Sequence, residues 1–490
     1  MNNLAQEISS KIKVNKSIET YRFEDVLSSN MVLDDDSKTE GPSVDQSIST
    51  VHKIKIKILK PIYSKLANIS PRLAEKIRIY IYRFWDMFLS RKINKKNNIK
   101  IQENKHVNLL KERILIDVTE INKYDSHTGI QRVVRNIALG LLEKKENIIL
   151  VRDYNGKLIT CNEYLTKLIH KEFDGIEYYV NLHNMDKLFL LDSSWSYYAD
   201  FRNILRLAQK KNIKSYVIIH DLIPLQYPET VDGIGFKIIF EKWHRMVLEY
   251  CSDIICVSKT TADYVEEYFS LSKIKRQSNL NLYSFILGSN FKVMSEINTK
   301  YIRPLLRKMF DQDTFLMVGT IEPRKGYLVA VKAITSLLDK GYPIKLLIIG
   351  KKGWACDAFI ETLRNNNYYN KQIVWINDAS DVELAWAYKN AKALIAASKQ
   401  EGFGLPLVEA AQYNLPIICS DIAVFREVTH NSAQYFNAFD IDDLSNKLEF
   451  FLKNKEVDYA VNIPQITWED STNMILDILE DKKKPYKVLR

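Results

Sequence analysis

The sequence predicts an α/β protein with two parallel-sheet domains, preceded by an N-terminal region of different composition. Its 490 residues, of which 46% are hydrophobic, exceed what a single hydrophobic core usually serves. From residue 113 onward, short apolar segments alternate with helix-like stretches, the pattern of β-α-β units. Charge is concentrated before that residue, which separates the N-terminal region from the rest. We expect the two domains at residues 113–298 and 299–466.

The N-terminal region divides into two segments of opposite charge. Residues 1–50 hold 5 Lys and Arg against 9 Asp and Glu, a net charge of −4, and are predicted to be disordered. Residues 51–113 hold 17 against 4, a net charge of +13, so a basic accessory region is predicted for residues 51–112. Residues 114–490 are nearly neutral, with a net charge of +1. The overall charge of +10 therefore does not indicate nucleic-acid binding.

Residues 72–96 within the basic region predict an amphipathic helix. Leu73, Phe84 and Trp85 lie on one face at helical spacing, and Lys and Arg residues flank that face. An aromatic-rich apolar face flanked by cations is typical of a helix that lies in a membrane interface. The segment is too short and too charged to span a bilayer. The alternative is a helix that packs on the rest of the chain or on a second subunit.

The most specific motif runs from Glu401 to Ala410 and reads EGFGLPLVEA. It places Glu401 and Glu409 eight positions apart, between a predicted strand at 392–398 and a predicted helix at 408–413. A strand, a glycine-bearing loop and a helix N-terminus make an anion site, because backbone N–H groups and the helix dipole face the ligand. Carboxylates repel phosphate, so these two are expected to accept hydrogen bonds from hydroxyl groups. A ligand with both phosphate and sugar fits. The alternative is that both glutamates merely complement the helix dipole.

This motif resembles the E-x7-E motif of the retaining glycosyltransferases of family 4, also called group 1, which have the two-domain GT-B fold. The resemblance implies two Rossmann-like domains that face a central cleft. It implies that Glu401 lies near the transferred sugar and that Glu409 binds the ribose of the nucleotide. It also implies that the backbone of Phe403, Gly404 and Leu405 holds sugar hydroxyls.

A second motif presents two adjacent cations, Arg324 and Lys325, after the predicted strand 315–318 and before a predicted helix at 327–338. Fixed cations stabilise the charge that develops on a departing nucleotide diphosphate. Lys325 matches the lysine that the family places on the diphosphate. The sequence E-P-R-K-G around it resembles that of bacterial members that use mannose-type donors. Thr320 stands where many members carry an arginine, and Arg324 could supply that charge. The alternative is an exposed basic turn that caps the helix.

A third motif places His220 and Asp221 at the end of the predicted strand 216–219. Side chains at the carboxyl end of a parallel strand face the crevice of an open α/β sheet. His220 matches a histidine that the family carries near the reacting sugar. Asp221 could orient that imidazole or meet the acceptor hydroxyl. A structural histidine after a strand is the alternative.

A fourth motif follows the predicted strand that starts at Ile114, where Gly129 opens a basic helix. In the family a glycine-rich loop at this point lies over the donor diphosphate, and Gly129 matches one of its glycines. Many members have two glycines there. Arg132 and Arg135 follow within this helix and could face either ligand or solvent.

Other sequence signals narrow the function class. The five cysteines are scattered without C-x2-C spacing, which favours a reducing compartment and disfavours structural zinc. No G-x-G-x-x-G motif is present, so a dinucleotide-dependent dehydrogenase is disfavoured. The resemblance implies that neither a cofactor nor a metal ion is needed beyond the nucleotide-sugar donor.

The sequence therefore predicts a retaining hexosyltransferase that uses a nucleotide-diphosphate sugar, with GDP-mannose as the favoured donor. The expected acceptor is a glycan or lipid-linked glycan of bacterial surface polysaccharide, in O-antigen or capsule assembly. The acceptor domain is predicted at 113–298, the donor-binding domain at 299–466, and a crossover helix and tail at 467–490. We expect a cytoplasmic protein, peripheral on the inner face of the membrane. The alternatives are a transferase with a rhamnose or N-acetylhexosamine donor, a nucleotide-sugar epimerase and a non-catalytic scaffold of the same fold.

Overall fold

The computed structural model describes residues 99–103, 112–125, 128–228, 234–276, 278–289, 299–454 and 462–490. The predictions for residues 1–50 and for the helix at 72–96 lie outside the described residues.

The described strands form two sheets, one of ten strands and one of six. Most strands are short apolar runs that are buried on both faces, which is typical of parallel sheets covered by helices. The strands are β1 (Lys100–Glu103), β2 (Ile114–Asp117), β3 (Ile148–Tyr154), β4 (Lys157–Thr160), β5 (Ile176–Tyr179), β6 (Lys187–Leu190), β7 (Lys214–Ile219), β8 (Asp253–Cys256), β9 (Leu280–Ser284), β10 (Asp313–Val318), β11 (Ile344–Ile349), β12 (Ile373–Ile376), β13 (Ala393–Ala396), β14 (Ile417–Ser420), β15 (Gln434–Phe436) and β16 (Lys487–Leu489).

Helices connect the parallel strands, as the β-α-β pattern of the sequence predicts. Several carry recognisable N-caps. Thr128, Ser380 and Thr467 each form a capping box with the residue three positions later. The helices are α1 (Thr119–Lys123), α2 (Gly129–Lys144), α3 (Asn162–Leu168), α4 (Tyr198–Lys210), α5 (Ile223–Gln226), α6 (Ile234–Tyr250), α7 (Lys259–Ser272), α8 (Pro304–Met309), α9 (Tyr327–Asp339), α10 (Asp357–Arg364), α11 (Asp381–Asn390), α12 (Leu405–Gln412), α13 (Ala423–Val428), α14 (Ile441–Lys453) and α15 (Trp468–Leu479).

The first sheet has the order β1-β5-β4-β3-β2-β6-β7-β8-β9-β16. Its centre, from β3 through β2 to β9, is parallel, whereas β4 pairs antiparallel with β3 and β5. The second sheet has the order β12-β11-β10-β13-β14-β15 and is parallel throughout. The strands predicted from the sequence lie within two residues of those observed, because their apolar runs are local signals.

The C-terminal helix α15 returns to the first domain and packs on α2. Lys144 of α2 pairs with Glu469, and Nζ of Lys187 donates to the carbonyl of Leu479 at 2.5 Å. The apolar core is continuous between the domains in this region, since one buried cluster contains Val133 of α2 together with Leu407 of α12.

Two edge strands of the first sheet lie outside the predicted bounds of the two domains. Residues 100–103, assigned to the accessory region, form the parallel edge strand β1 beside β5. Residues 487–489, assigned to a tail, form β16, which pairs antiparallel with β9. Both strands lie at sheet edges, where one side of the backbone needs no partner strand. Such short, exposed segments carry little apolar pattern for the sequence to reveal.

Within the part of the chain that the structure describes, none of the helices combines the length and the apolar character needed to cross a membrane.

Candidate active site

The loop at the start of the EGFGLPLVEA motif ends in Gly404, which is the N-cap residue of helix α12. Gly404 has a φ of 101°, a left-handed conformation that favours glycine, and an added Cβ would lie 2.8 Å from the ring of Phe425. The helix begins at Leu405, three residues before the predicted Val408, because this turn and Pro406 already set the first helical residues. Within the first turn, the N–H of Leu407 donates to the carbonyl of Gly404 at 2.9 Å, and Pro406 has no N–H to donate.

Glu401 is buried at the centre of a charged cluster, with 8% of its surface exposed. Its Oε2 lies 2.8 Å from Nη1 of Arg324, and its Oε1 pairs with Nζ of Lys325. The hydroxyl of Ser398 donates to Oε1 at 2.8 Å. Burial alone would raise the pKa of Glu401, but the two cations outweigh it and lower the pKa to about 2. A small pocket beside this carboxylate is lined by Lys325, Ser398, Glu401 and Gly404 among others.

Arg324 connects Glu401 to the carboxylate of Glu322 and to the backbone of Gln400. Its Nε lies 2.9 Å from Oε2 of Glu322, and its Nη1 donates to the carbonyl of Gln400 at 3.0 Å. Burial raises the pKa of Glu322 and of Asp221, while the charge of Arg324 opposes both shifts. In this arrangement the two predicted diphosphate cations are thus held by carboxylates.

Glu409 lies on the first helical turns of α12 and is also buried. Its Oε2 accepts a hydrogen bond from the hydroxyl of Tyr388 at 2.6 Å. Its Oε1 pairs with Nη1 of Arg132, which belongs to helix α2 of the other domain. Both carboxylates of the E-x7-E motif are therefore paired with cations.

The N-termini of helices α2 and α12 meet across the cleft. A Cβ added to Gly129, the first residue of α2, would lie 3.7 Å from Cδ1 of Leu405, the first residue of α12. Each N-terminus carries a partial positive charge of about half an elementary charge. Together they form a region suited to an anionic group.

His220 and Asp221 follow β7 and touch the motif loop from the opposite side. A Cβ added to Gly402 would lie 1.8 Å from the carbonyl oxygen of His220, so only glycine fits this contact. Burial, with a smaller effect from His244, lowers the pKa of His220 to about 4, so its imidazole is neutral near pH 7. Its Nε2 is buried and has no hydrogen-bond partner among the described residues.

Asp221 lies in the turn that follows His220. Its Oδ1 accepts a hydrogen bond from the backbone N–H of Ile223 at 3.0 Å, as part of the turn into α5. The carboxyl group is held near Arg324 and Lys325, whose charges act on its pKa. Both roles expected for Asp221 remain predictions.

The structure thus brings the predicted site residues together around one cleft. Arg135 is an exception among the weaker candidates, because it pairs with Asp125 of the adjacent loop. The sequence did not single out Ser398 or Tyr388, which hold the two motif carboxylates. Ser398 precedes Glu401 by three residues, which is a weak local signal. Tyr388 lies on α11, and only the fold brings it to Glu409.

Residues 301–484, which include this charged cluster, match the profile of the family described as glycosyl transferases group 1. Over 376 residues the chain is 32% identical to the serotype-specific mannosyltransferase WbdA of Escherichia coli, an alignment that covers 74% of this chain and 46% of WbdA. The O-antigen chain mannosyltransferase RfbU of Salmonella typhimurium is 25% identical over 257 residues, or 50% of this chain and 66% of RfbU. The chain spans just under half the length of WbdA.

Solved structures show the same fold. Sucrose-phosphate synthase from Thermosynechococcus elongatus aligns with a TM-score of 0.52 at 14% identity, over 76% of this chain and 98% of that one. The predicted fold class, α/β with two Rossmann-like domains of GT-B type, is confirmed by this likeness and by the two sheets.

Proposed function

We propose that the chain is a retaining glycosyltransferase that moves a mannosyl residue from GDP-mannose to a glycan acceptor in bacterial surface polysaccharide assembly. The observation that carries the proposal is the buried carboxylate of Glu401, held by Arg324, Lys325 and Ser398 beside two facing helix N-termini. This combination offers acceptors for sugar hydroxyls and positive charge for a diphosphate.

The cations would stabilise the departing diphosphate. As the bond between sugar and phosphate breaks, negative charge grows on the phosphate, and preorganised cations lower the energy of that transition state. Lys325 and Arg324 now pair with Glu401, so an arriving diphosphate would share or replace those contacts. Glu401 would then accept hydrogen bonds from the transferred sugar, and the backbone at Phe403, Gly404 and Leu405 would donate to it.

The other side of the cleft would supply neutral groups. Since the imidazole of His220 is uncharged, it can accept or donate a hydrogen bond beside the reacting carbon without repelling a cationic transition state. Glu409 would bind ribose hydroxyls, and Gly129 would let the diphosphate approach the start of α2. We propose that configuration is retained by same-face attack, with the leaving phosphate accepting the proton of the acceptor hydroxyl.

The names of the relatives, which are mannosyltransferases, support mannose as the transferred sugar. The resemblance of the sequence E-P-R-K-G around Lys325 to members with mannose-type donors supports GDP-mannose as the donor. The acceptor would be a glycan or lipid-linked glycan of O-antigen or capsule. We further propose that the reaction needs no metal ion and that residues 72–96 keep the protein at the inner face of the membrane.

The test is a donor panel followed by product analysis. Thermal unfolding is measured with GDP-, UDP- and dTDP-sugars for the intact chain, for Lys325→Ala and for Lys389→Ala, a control at an exposed lysine of the same domain. A donor at about 100 times its Kd should stabilise the fold by about 2.7 kcal/mol. We expect this shift with GDP-mannose, its loss in Lys325→Ala and its retention in Lys389→Ala.

The transferred product is then examined by NMR for its anomeric configuration, in the presence and absence of EDTA. An α-linked mannoside from GDP-α-mannose would support retention. Stabilisation by UDP- or dTDP-sugars alone would overturn the proposed donor. An altered nucleotide sugar without any acceptor product would indicate an epimerase, and no turnover with any donor would indicate a scaffold.

A further inference from the structure

Helix α7 of the first domain has its N-terminus against the second domain. Ser258 is its N-cap and accepts a hydrogen bond from the N–H of Thr261 at 3.0 Å. The hydroxyls of Ser258 and Thr261 both donate to the carbonyl oxygen of Gly402, at 2.7 and 3.0 Å. Gly402 directly follows Glu401, so two side chains of the first domain hold the loop that carries the central carboxylate.

A carboxylate of the second domain completes the cap. Oε1 of Glu427, on α13, accepts from the N–H of Lys259 at 2.7 Å. Its Oε2 accepts from the N–H and the hydroxyl of Thr260, at 2.8 and 2.6 Å. The first N–H groups of a helix have no partner within the helix, and a negative charge there is favourable. Here that partner comes from the other domain, more than 160 positions away in sequence.

These contacts differ from a second charged contact between the domains, the ion pair of Arg132 with Glu409. The pair between Arg132 and Glu409 lies where the ribose and diphosphate would bind, so a donor would compete with it. The contacts of Glu427 lie on the first residues of α7, and no proposed donor contact involves them. They can therefore persist while donor and product exchange.

We propose that Glu427, Ser258 and Thr261 form an interdomain clasp, which positions the Glu401 loop against His220. Glu427 is then a positioning residue, and this role rests on the proposed function. With the clasp intact, the Glu401 loop of the second domain and His220 of the first domain are aligned for sugar transfer. Without it, the second domain still binds the donor, but the two sides are aligned in fewer molecules.

The experiment combines amide exchange with steady-state kinetics on the full chain. The variants are Glu427→Gln, Glu427→Ala and the double variant Ser258→Ala with Thr261→Val. Glu361→Gln is the control, at an exposed glutamate of the same domain. For the clasp variants we expect faster exchange at residues 259–261 and kcat reduced by about tenfold, with a rise in the Kd for GDP-mannose that is smaller than the fall in kcat. The control should match the unmodified chain.

Two results would overturn the clasp. One is unchanged exchange at residues 259–261 in Glu427→Ala. The other is faster exchange with unchanged kcat at a temperature where the variant is folded, because that is what a purely stabilising contact would show. Glu427→Gln and the double variant retain most of the packing, so they decide the matter if Glu427→Ala does not fold. Failure of the unmodified chain to transfer sugar would refute the proposed function, whereas the exchange data would still show whether the contacts tie the domains together.

Discussion

The two sides of the cleft differ in how they carry charge. On the second-domain side, Arg324, Lys325 and Glu401 form a compact ionised cluster, in which the pKa of Glu401 is lowered to about 2. On the first-domain side, burial lowers the pKa of His220 to about 4 and raises that of Asp221, so both shifts favour neutral forms. An ionised cluster on one side and a neutral imidazole on the other suit a reaction in which negative charge develops at the diphosphate.

This difference has a structural origin. The cations and carboxylates of the second domain come from adjacent loops at the carboxyl end of one sheet, so they neutralise each other inside the protein. His220 and Asp221 lie beneath the motif loop, where desolvation is not offset by a close partner for the imidazole. Variants can therefore separate the role of charge from the role of position.

The largest effect is expected from Glu401→Ala. Removing the carboxylate leaves two buried cations side by side and removes the proposed sugar contact. We expect kcat/KM to fall by at least about a hundredfold and the free energy of unfolding to fall by about 3–5 kcal/mol. Initial rates measure kcat/KM, and urea denaturation measures the free energy of unfolding. An activity within tenfold of the unmodified chain would show that the charged cluster does not serve the reaction.

Lys325→Ala should be next in size. It removes one of two cations from the cluster and leaves Arg324 on Glu401, so we expect kcat/KM to fall by about a hundredfold. Lys325→Arg should recover part of the loss, because the charge is kept while the geometry changes. Initial rates at saturating and limiting donor separate kcat from KM. Full activity in Lys325→Ala would show that the charge of Lys325 does not contribute to the reaction.

Arg132→Ala tests whether a first-domain residue belongs to the charged side. Its removal leaves Glu409 without the cation that it pairs with, and the uncompensated negative charge should repel a diphosphate. We expect the donor Kd, measured by calorimetry, to rise about fivefold to tenfold with a smaller change in kcat. Arg135→Ala is the control on the same helix, since Arg135 pairs with Asp125 instead. Equal effects of the two variants would argue against a specific role of Arg132.

The smallest effect is expected in the pH dependence of stability, to which His220 on the first-domain side of the cleft contributes. His220 and His244 both have pKa values lowered to about 4 by burial, so the unfolded chain binds more protons than the folded one between pH 6.5 and 4. The part of the free energy of unfolding that these two histidines contribute should therefore fall as the pH falls through this range, by at most about 1.4 kcal/mol per unit for each.

His220→Asn should reduce this slope, leaving the contribution of His244. Glu401 acts at lower pH, because its depressed pKa makes stability fall only between about pH 4.5 and 2. Chemical denaturation at a series of pH values measures both ranges. A slope that His220→Asn leaves unchanged between pH 6.5 and 4 would show that His220 is not held in its neutral form.

The strands, the two-domain order and the residues at the strand ends can be predicted from the amino-acid sequence. These features follow from apolar runs and turn residues within a few positions of one another, as in β7 with His220 or in the loop before α12. The E-x7-E carboxylates and the adjacent cations were recognisable for the same reason, since each motif is continuous in the chain.

Which of these groups contact each other depends on the packing of the two domains. Glu401 meets Lys325 across 76 positions, and Glu409 meets Arg132 across 277. The cap that Glu427 places on α7 likewise joins residues from different domains. Such pairings depend on how two sheets and their helices pack, which no local pattern encodes. The edge strands β1 and β16 were missed for a related reason: their stability comes from the neighbouring strand rather than from an apolar pattern of their own.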